Sequence, residues 1–374
     1  VLAWALVAIG ARLPVAMAPL ALVFAVRERP GGYATGAGLG AAYVIGEVVG
    51  AALLGPRLRP ERARGALVAG LATGAVAFAG LGLAPQAHPL VLGALALLAG
   101  AAPAAAPGGL RALLTSPLPP ALAVKALSAE AMLTYGVWAA APALTGVLAL
   151  NVAPALPLLL AAALMASATA GMWTLPAGWA AHGGDGTSLA RTLARAWPIY
   201  VTGAAAMSLL ALAELVLPAL LEQRGIGVGW TGPLLAGFAV TSAAGAGLYG
   251  LRGAWPGSLR AQSLVLLLAV TGCVTVVATA GSLPWIAGAL LAAGLPQSGV
   301  QVTRTLSLRE TLPPSAHAAA YSVMYAAVGI GYTASAALAG AVQAVAPPSV
   351  AVLAGVGLTL LLVAASAVGD RRVA

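Results

Sequence analysis

The sequence predicts an all-α integral membrane protein of about twelve transmembrane helices, arranged as two pseudo-symmetric six-helix halves, and three observations predict it. The first is composition: of 374 residues, 61% are hydrophobic and 7% charged, with a mean hydropathy of +0.98. A soluble domain carries roughly 25% charged residues and has no means of covering so much apolar surface. The second is segmentation, because polar, Gly and Pro clusters cut the chain into apolar runs close to the ~20 residues that cross ~30 Å of hydrocarbon. The third is an internal repeat. The segment Leu118-Pro119-Pro120 to Ser128 reappears as Leu312-Pro313-Pro314 to Ser322 at an offset of 194 residues. At an offset of 195, Gly55-Pro56-Arg57 meets Gly250-Leu251-Arg252, and Arg29 meets Arg224.

In the first half, spans are predicted near residues 2–26, 34–54, 66–83, 89–110, 123–147 and 152–173. The chain opens directly into hydrophobic sequence without a basic leader region, so residues 2–26 read as a span and not as a removable signal peptide. Arg12 falls near the middle of span 1, Glu47 in span 2 and Glu130 about one turn inside span 5. The second half repeats the pattern near 197–221, 231–250, 261–279, 283–303, 318–343 and 349–368, with Glu214 inside span 7. Pro14, Pro19, Pro142, Pro218 and Pro296 lie within spans, where neighbours are able to re-satisfy the carbonyls they free. The longest connection, Thr174 to Ala196, holds Pro176, His182, Gly183, Gly184, Asp185 and Gly186, the composition of a flexible linker. The expected organisation is therefore residues 1–175, a linker over 176–196, and residues 197–374.

Charge fixes the expected orientation. With both termini cytoplasmic, fourteen of the eighteen basic residues fall in cytoplasmic connections or the tail, and only Arg27, Arg29 and Arg224 fall outside. That asymmetry obeys the positive-inside rule, and the chain is expected in the plasma (inner) membrane. The net charge of +9 is spread between spans and forms no basic patch with interleaved aromatics, so a nucleic-acid partner is excluded. Cys273 is the only cysteine, which excludes an intramolecular disulfide and a thiolate metal cluster. His88, His182 and His317 lie in or beside different loops, no His-Glu-x-x-His run exists, and the Gly225 to Gly229 stretch lacks the Lys-Ser/Thr of a phosphate loop. No enzyme activity, cofactor or bound metal is expected. The expected partners are the bilayer, a small molecule and protons, with the protein a monomer.

Twelve spans in two halves, a long central loop and a basic loop after the second span resemble the major facilitator superfamily over essentially the whole chain. Arg12-Leu13-Pro14 with Met17, and Gly31-Gly32-Tyr33 before span 2, are similar to a branch of efflux permeases of high-GC bacteria. The family's loop signature, Gly-x-x-x-Asp-Arg-x-Gly-Arg-Arg, aligns with Gly55 to Arg64. Gly55 and Arg64 match, Arg59 stands where the acidic residue belongs, and Glu61 replaces it only in a shifted register. The resemblance implies that spans 1, 2, 4, 5, 7, 8, 10 and 11 surround a central cavity, while spans 3, 6, 9 and 12 face lipid. The buried charges fall in spans 1, 2, 5 and 7, within the first set.

An ionisable group at the bilayer centre costs about 2.5 to 3.5 kcal/mol, so these four residues are the first functional candidates. Arg12 and Glu47 are placed to form an ion pair that fixes packing or to handle substrate and protons. Glu214 has no basic residue near it in sequence, so it suits a carboxyl that gives up its proton only when water reaches it. Glu130 reads either as a snorkelling pair with Lys125 at the membrane edge or as a cavity group. Tyr43, Tyr135, Trp138, Tyr321 and Tyr325 are candidates for an amphipathic wall around an organic substrate, or for packing and interface anchors. Gln297 and Gln301 share a helix face. Gly36 with Gly40, and Gly46 with Gly50, fit the small-x-x-x-small pattern of close helix approach. The expected function is secondary transport by alternating access, with proton-coupled export of a small organic molecule preferred over metabolite uptake or a non-transporting receptor.

Orientation is directly testable. Single cysteines placed between Arg57 and Arg64, in a Cys273→Ala background, are expected to resist an impermeant thiol reagent on intact cells; ready labelling from outside reverses the topology.

Overall fold

The computed structural model describes residues 2–29, 32–178, 188–253 and 255–373. Val1, Gly31 and the linker stretch 179–187, with His182, lie outside the described residues. Every regular element among the described residues is helical. Twelve long helices follow the predicted order: α1 (Leu2–Val26), α2 (Gly32–Leu54), α3 (Ala63–Leu83), α4 (Pro89–Thr115), α5 (Pro120–Asn151), α6 (Leu156–Gly171), α7 (Trp197–Leu215), α8 (Thr231–Arg252), α9 (Leu259–Thr279), α10 (Leu283–Thr311), α11 (His317–Gln343) and α12 (Pro348–Val373). Eleven of them are long and apolar enough to cross a membrane. The other, α10, has 29 residues, but Pro296, Gln297 and Ser298 dilute its apolar stretch and Arg304, Arg309 and Glu310 crowd its end.

Local chemistry explains the breaks. Pro103 converts residues Ala102–Ala105 of α4 into one 3-10 turn, after which the helix resumes. Pro218 cannot supply a helical N–H, so α7 ends at Leu215 and a short helix, Leu217–Gln223, restarts within the single span predicted for 197–221. Helix starts use proline in the first turn or a side-chain cap, as where Ser258 accepts the Ala261 N–H at 3.2 Å. Many hydroxyl residues inside the spans bond back onto their own helix. Thr271, Thr275 and Thr303 each donate to the carbonyl four residues earlier at 2.8 to 2.9 Å.

The described chain forms two compact units. The first comprises Val1–Leu118, Val137–Leu189 and Pro313–Ala326; the second comprises Pro119–Gly136, Ala190–Leu312 and Ala327–Ala374. Each consists mainly of one half of the sequence and includes the opening turns of one helix, α11 or α5, from the other half. Close helix approach depends on small residues. In the first unit, a Cβ on Gly46 or Gly50 would run into the backbone of Leu97 or Ala101 of α4, and one on Gly36 would run into Val23. Gly40, expected to act with Gly36, faces open space. In the second unit, Gly245 packs on Leu295 and Gly294 on Phe238, joining α8 and α10 as α2 and α4 are joined.

The sequence repeat is written into these contacts. Gly55 packs on the Ser322 Cβ in the first unit, and Gly250 packs on the Ser128 Cβ in the second. These are the repeat-equivalent residues at both ends of the contact. Arg29 donates to the Pro85 carbonyl at 3.1 Å beside the end of α3, and Arg224 donates to the Ala278 carbonyl at 2.8 Å near the end of α9.

Gly55→Ala therefore inserts a methyl group into the Ser322 contact and is expected to cost about 1 to 3 kcal/mol, seen as a lower midpoint of thermal unfolding. Gly65→Ala, with nothing within 4 Å of the new methyl, is the control and should not lower it.

Candidate functional site

Each unit holds a cluster of polar and charged side chains among its long apolar helices. In the first unit, Arg12 of α1 is buried, and its guanidinium lies over the Trp4 ring at 5.7 Å. The Trp4 indole N–H donates in turn to the Leu110 carbonyl of α4 at 2.8 Å, which fixes the ring. One turn apart on α2 are Tyr43, fully buried with no partner for its hydroxyl, and Glu47, half-buried. Tyr43 packs against Phe78, with ring centroids 6.1 Å apart. The hydroxyl of Tyr325, from α11, donates to the Glu47 carboxylate. Tyr325 also lies within electrostatic reach of Arg12 and Arg111, and Arg111 sits over the Tyr321 ring at 5.5 Å. The partner that the structure gives Glu47 is thus a residue 278 positions away.

In the second unit, Glu214 stands at the end of α7, next to the break before Pro218. The Tyr332 hydroxyl donates to it at 3.4 Å. Tyr135 is buried within electrostatic reach of both Glu214 and Arg304. Arg304 is buried too, donating to the carbonyls of Val300 at 3.0 Å and Thr202 at 3.3 Å. Gln297 donates to the Ala206 carbonyl of α7 at 3.3 Å and leaves its own oxygen without a partner, while Gln301 is half-buried. Tyr325 and Tyr332 are seven residues apart on α11, two turns, so they share a face of that helix.

Several expectations need correction. Glu130 is 2% exposed while Lys125 is exposed, so the carboxyl lies inside the protein and not at its surface. Trp138 is 50% exposed. In the loop after α2, Arg59 and Glu61 are both exposed, and Arg59 caps nothing through its side chain. Arg64 anchors the loop instead: it donates to the Leu175 carbonyl at 2.5 Å and lies over Trp173 at 5.4 Å. Arg304, expected in a cytoplasmic connection, lies inside α10, which runs on to Thr311 because no breaker precedes Leu312-Pro313. Tyr332 and Arg304 were missed as site residues, and only the uninterrupted run to Pro313 signalled the latter. Among the described residues, no group of three or more His, Cys, Asp or Glu side chains is placed to hold a metal ion.

Twelve long helices in repeated six-helix sets, each unit holding a half-buried carboxyl bonded by a tyrosine, define a multi-pass membrane protein. Its fold is that of the major facilitator superfamily transporters. It is similar to the human organic anion transporter MFSD10 (TETRAN), at 16% identity over 96% of both chains with a TM-score of 0.75. It is similar to a bacterial homologue of the iron transporter ferroportin in its outward-facing state, at 15% identity over 98% of both chains and a TM-score of 0.75. The superfamily's proton:xylose symporter XylE follows at 11% identity, 97% of this chain, 94% of the other and a TM-score of 0.73. By sequence, neither a family model nor a curated protein matches.

The Glu47–Tyr325 contact is measurable by a double-mutant cycle on unfolding stability. Glu47→Gln and Tyr325→Phe are expected to couple by about 1 to 3 kcal/mol, and additive effects would show that the pair contributes nothing.

Proposed function

We propose that the protein is a secondary active transporter working by alternating access, and that it exports a small, partly apolar organic molecule in exchange for protons. The observation that carries this reading is the pairing of an intramembrane carboxyl with a tyrosine of α11 in each unit, Glu47 with Tyr325 and Glu214 with Tyr332. A carboxylate accepts the tyrosine hydroxyl; a protonated carboxyl no longer needs it. Gain or loss of the proton therefore changes a helix-to-helix hydrogen bond, the kind of local event that biases a two-state element. The break in α7 beside Glu214 supports a proton-binding role, since interrupted helices line the binding sites of secondary transporters.

Tyr43, Tyr135 and Tyr325 add aromatic faces with polar ends near these carboxyls, which suits an amphipathic organic substrate better than a bare ion. The three similar proteins are described as handling an organic anion, iron and xylose, so the fold by itself does not choose among substrates. The clusters here hold carboxyls and phenols without a set of metal ligands, and that favours the organic reading.

Glu214→Gln keeps the shape of the protonated side chain. In proteoliposomes it is expected to abolish transport driven by a pH gradient while leaving substrate exchange measurable. Unchanged proton dependence removes Glu214 from the mechanism, and a wild type without flux across a broad panel of compounds defeats the transporter reading.

A further inference from the structure

Beside the second carboxyl cluster, with which it shares Arg304, a cavity of about 300 Å³ lies in the second unit where the start of α7, the start of α9 and the end of α10 converge. These three helix ends lie on the side of the basic connections. Trp197, 40% exposed at the first residue of α7, and Trp255, in the loop before α9, are aromatic anchors of the kind that mark a membrane–water boundary. The cavity wall is divided by chemistry. Arg195, Arg260 and Arg304 bring guanidiniums to it, Arg260 donating to the Ala367 carbonyl at 2.9 Å and Arg304 to those of Val300 and Thr202; Glu310 adds a carboxylate, and Ile199 and Leu264 supply an apolar side.

One further side chain points to a ligand. Ser263 lines the cavity, is 5% exposed, and has no hydrogen-bond partner for its hydroxyl. Two other hydroxyls of the lining, Thr202 and Ser307, bond to the carbonyls four residues earlier, of Pro198 and Thr303, at 2.8 Å. A buried hydroxyl that forgoes that bond beside three guanidiniums is a donor waiting for an acceptor. Leading away from the cavity along α9, Leu264 and Leu268 follow one another at i and i+4, and neighbouring Val265 is 65% exposed, so an apolar track runs from the polar pocket along the lipid-facing side.

The geometry points to a phosphate site for an anionic membrane phospholipid, with the phosphodiester held by Arg195, Arg260, Arg304 and Ser263 and an acyl chain lying along Leu264 and Leu268. Guanidinium forks match phosphate oxygens, and basic pockets between helices on the cytoplasmic side suit lipid headgroups. The two-sided wall favours a lipid over a soluble phosphate. Such a lipid ties the ends of α7, α9 and α10 together. This inference is independent of what the protein transports.

The test is lipid binding to purified, delipidated protein, read by native mass spectrometry with dioleoylphosphatidylglycerol, dioleoylglycerol and inorganic phosphate as separate arms. Phosphatidylglycerol is expected to be retained and dioleoylglycerol not. Arg195→Gln, at an exposed position, should weaken retention about five- to tenfold, and Ser263→Ala should weaken it severalfold while the unfolding midpoint without lipid stays unchanged. Displacement of the lipid by inorganic phosphate at matched concentration would assign the same site to soluble phosphates and overturn the lipid reading. Equal retention of dioleoylglycerol, or undiminished phosphatidylglycerol binding in both variants, would overturn the site altogether.

Discussion

The rest of this structure depends on one constraint: inside hydrocarbon, every backbone N–H and carbonyl has to find its partner within the protein. Helices meet that demand within a single segment, which is why every regular element described is helical. The same demand disciplines the polar side chains. Threonines at 271, 275 and 303 bond back to their own helices. At Pro218 the chain stops one helix and begins another, whereas α1, α5 and α10 run on through Pro14, Pro19, Pro142 and Pro296.

Once the backbone is satisfied internally, helix association falls to close packing, because lipid tails are as apolar as the helices themselves. Glycine supplies the approach. The reciprocal contacts of Gly55 with Ser322 and of Gly250 with Ser128 show the two sequence repeats folding to the same local rule, each unit using the first turns of a helix encoded in the other half. Arg29 and Arg224 repeat the rule at the opposite helix ends by bonding a carbonyl near the end of α3 and of α9. A duplicated sequence has kept the packing contacts that a duplicated fold requires.

The buried charges are where the two units cease to be copies. The first places a carboxyl among tyrosines and arginines through Glu47, and the second places one at a helix break through Glu214. No acidic residue occupies the repeat-equivalent position of either. Packing is thus held in common while polar chemistry differs, as expected if the repeat supplies a scaffold and the individual side chains supply function. Burying part of Glu47 and of Glu214 costs solvation that a tyrosine hydroxyl only partly restores.

The sequence by itself determined the class, the number and order of spans, the repeat and the scarcity of charge at membrane depth, because apolar length, proline placement and glycine spacing act locally along the chain. Arg12, Glu47, Glu130 and Glu214 stood out for the same reason, each being a charge in an apolar run. Tertiary structure alone decided what each one meets. Glu47 finds Tyr325 across 278 residues, Tyr332 reaches Glu214 across 118, and Glu130 is buried to 2% exposure. Those partners sit on different helices, and a hydrophobic pattern records how far a helix runs but not which face of which neighbour it will meet. The same limit hid Arg304 and Ser263, whose surroundings exist only where α7, α9 and α10 converge.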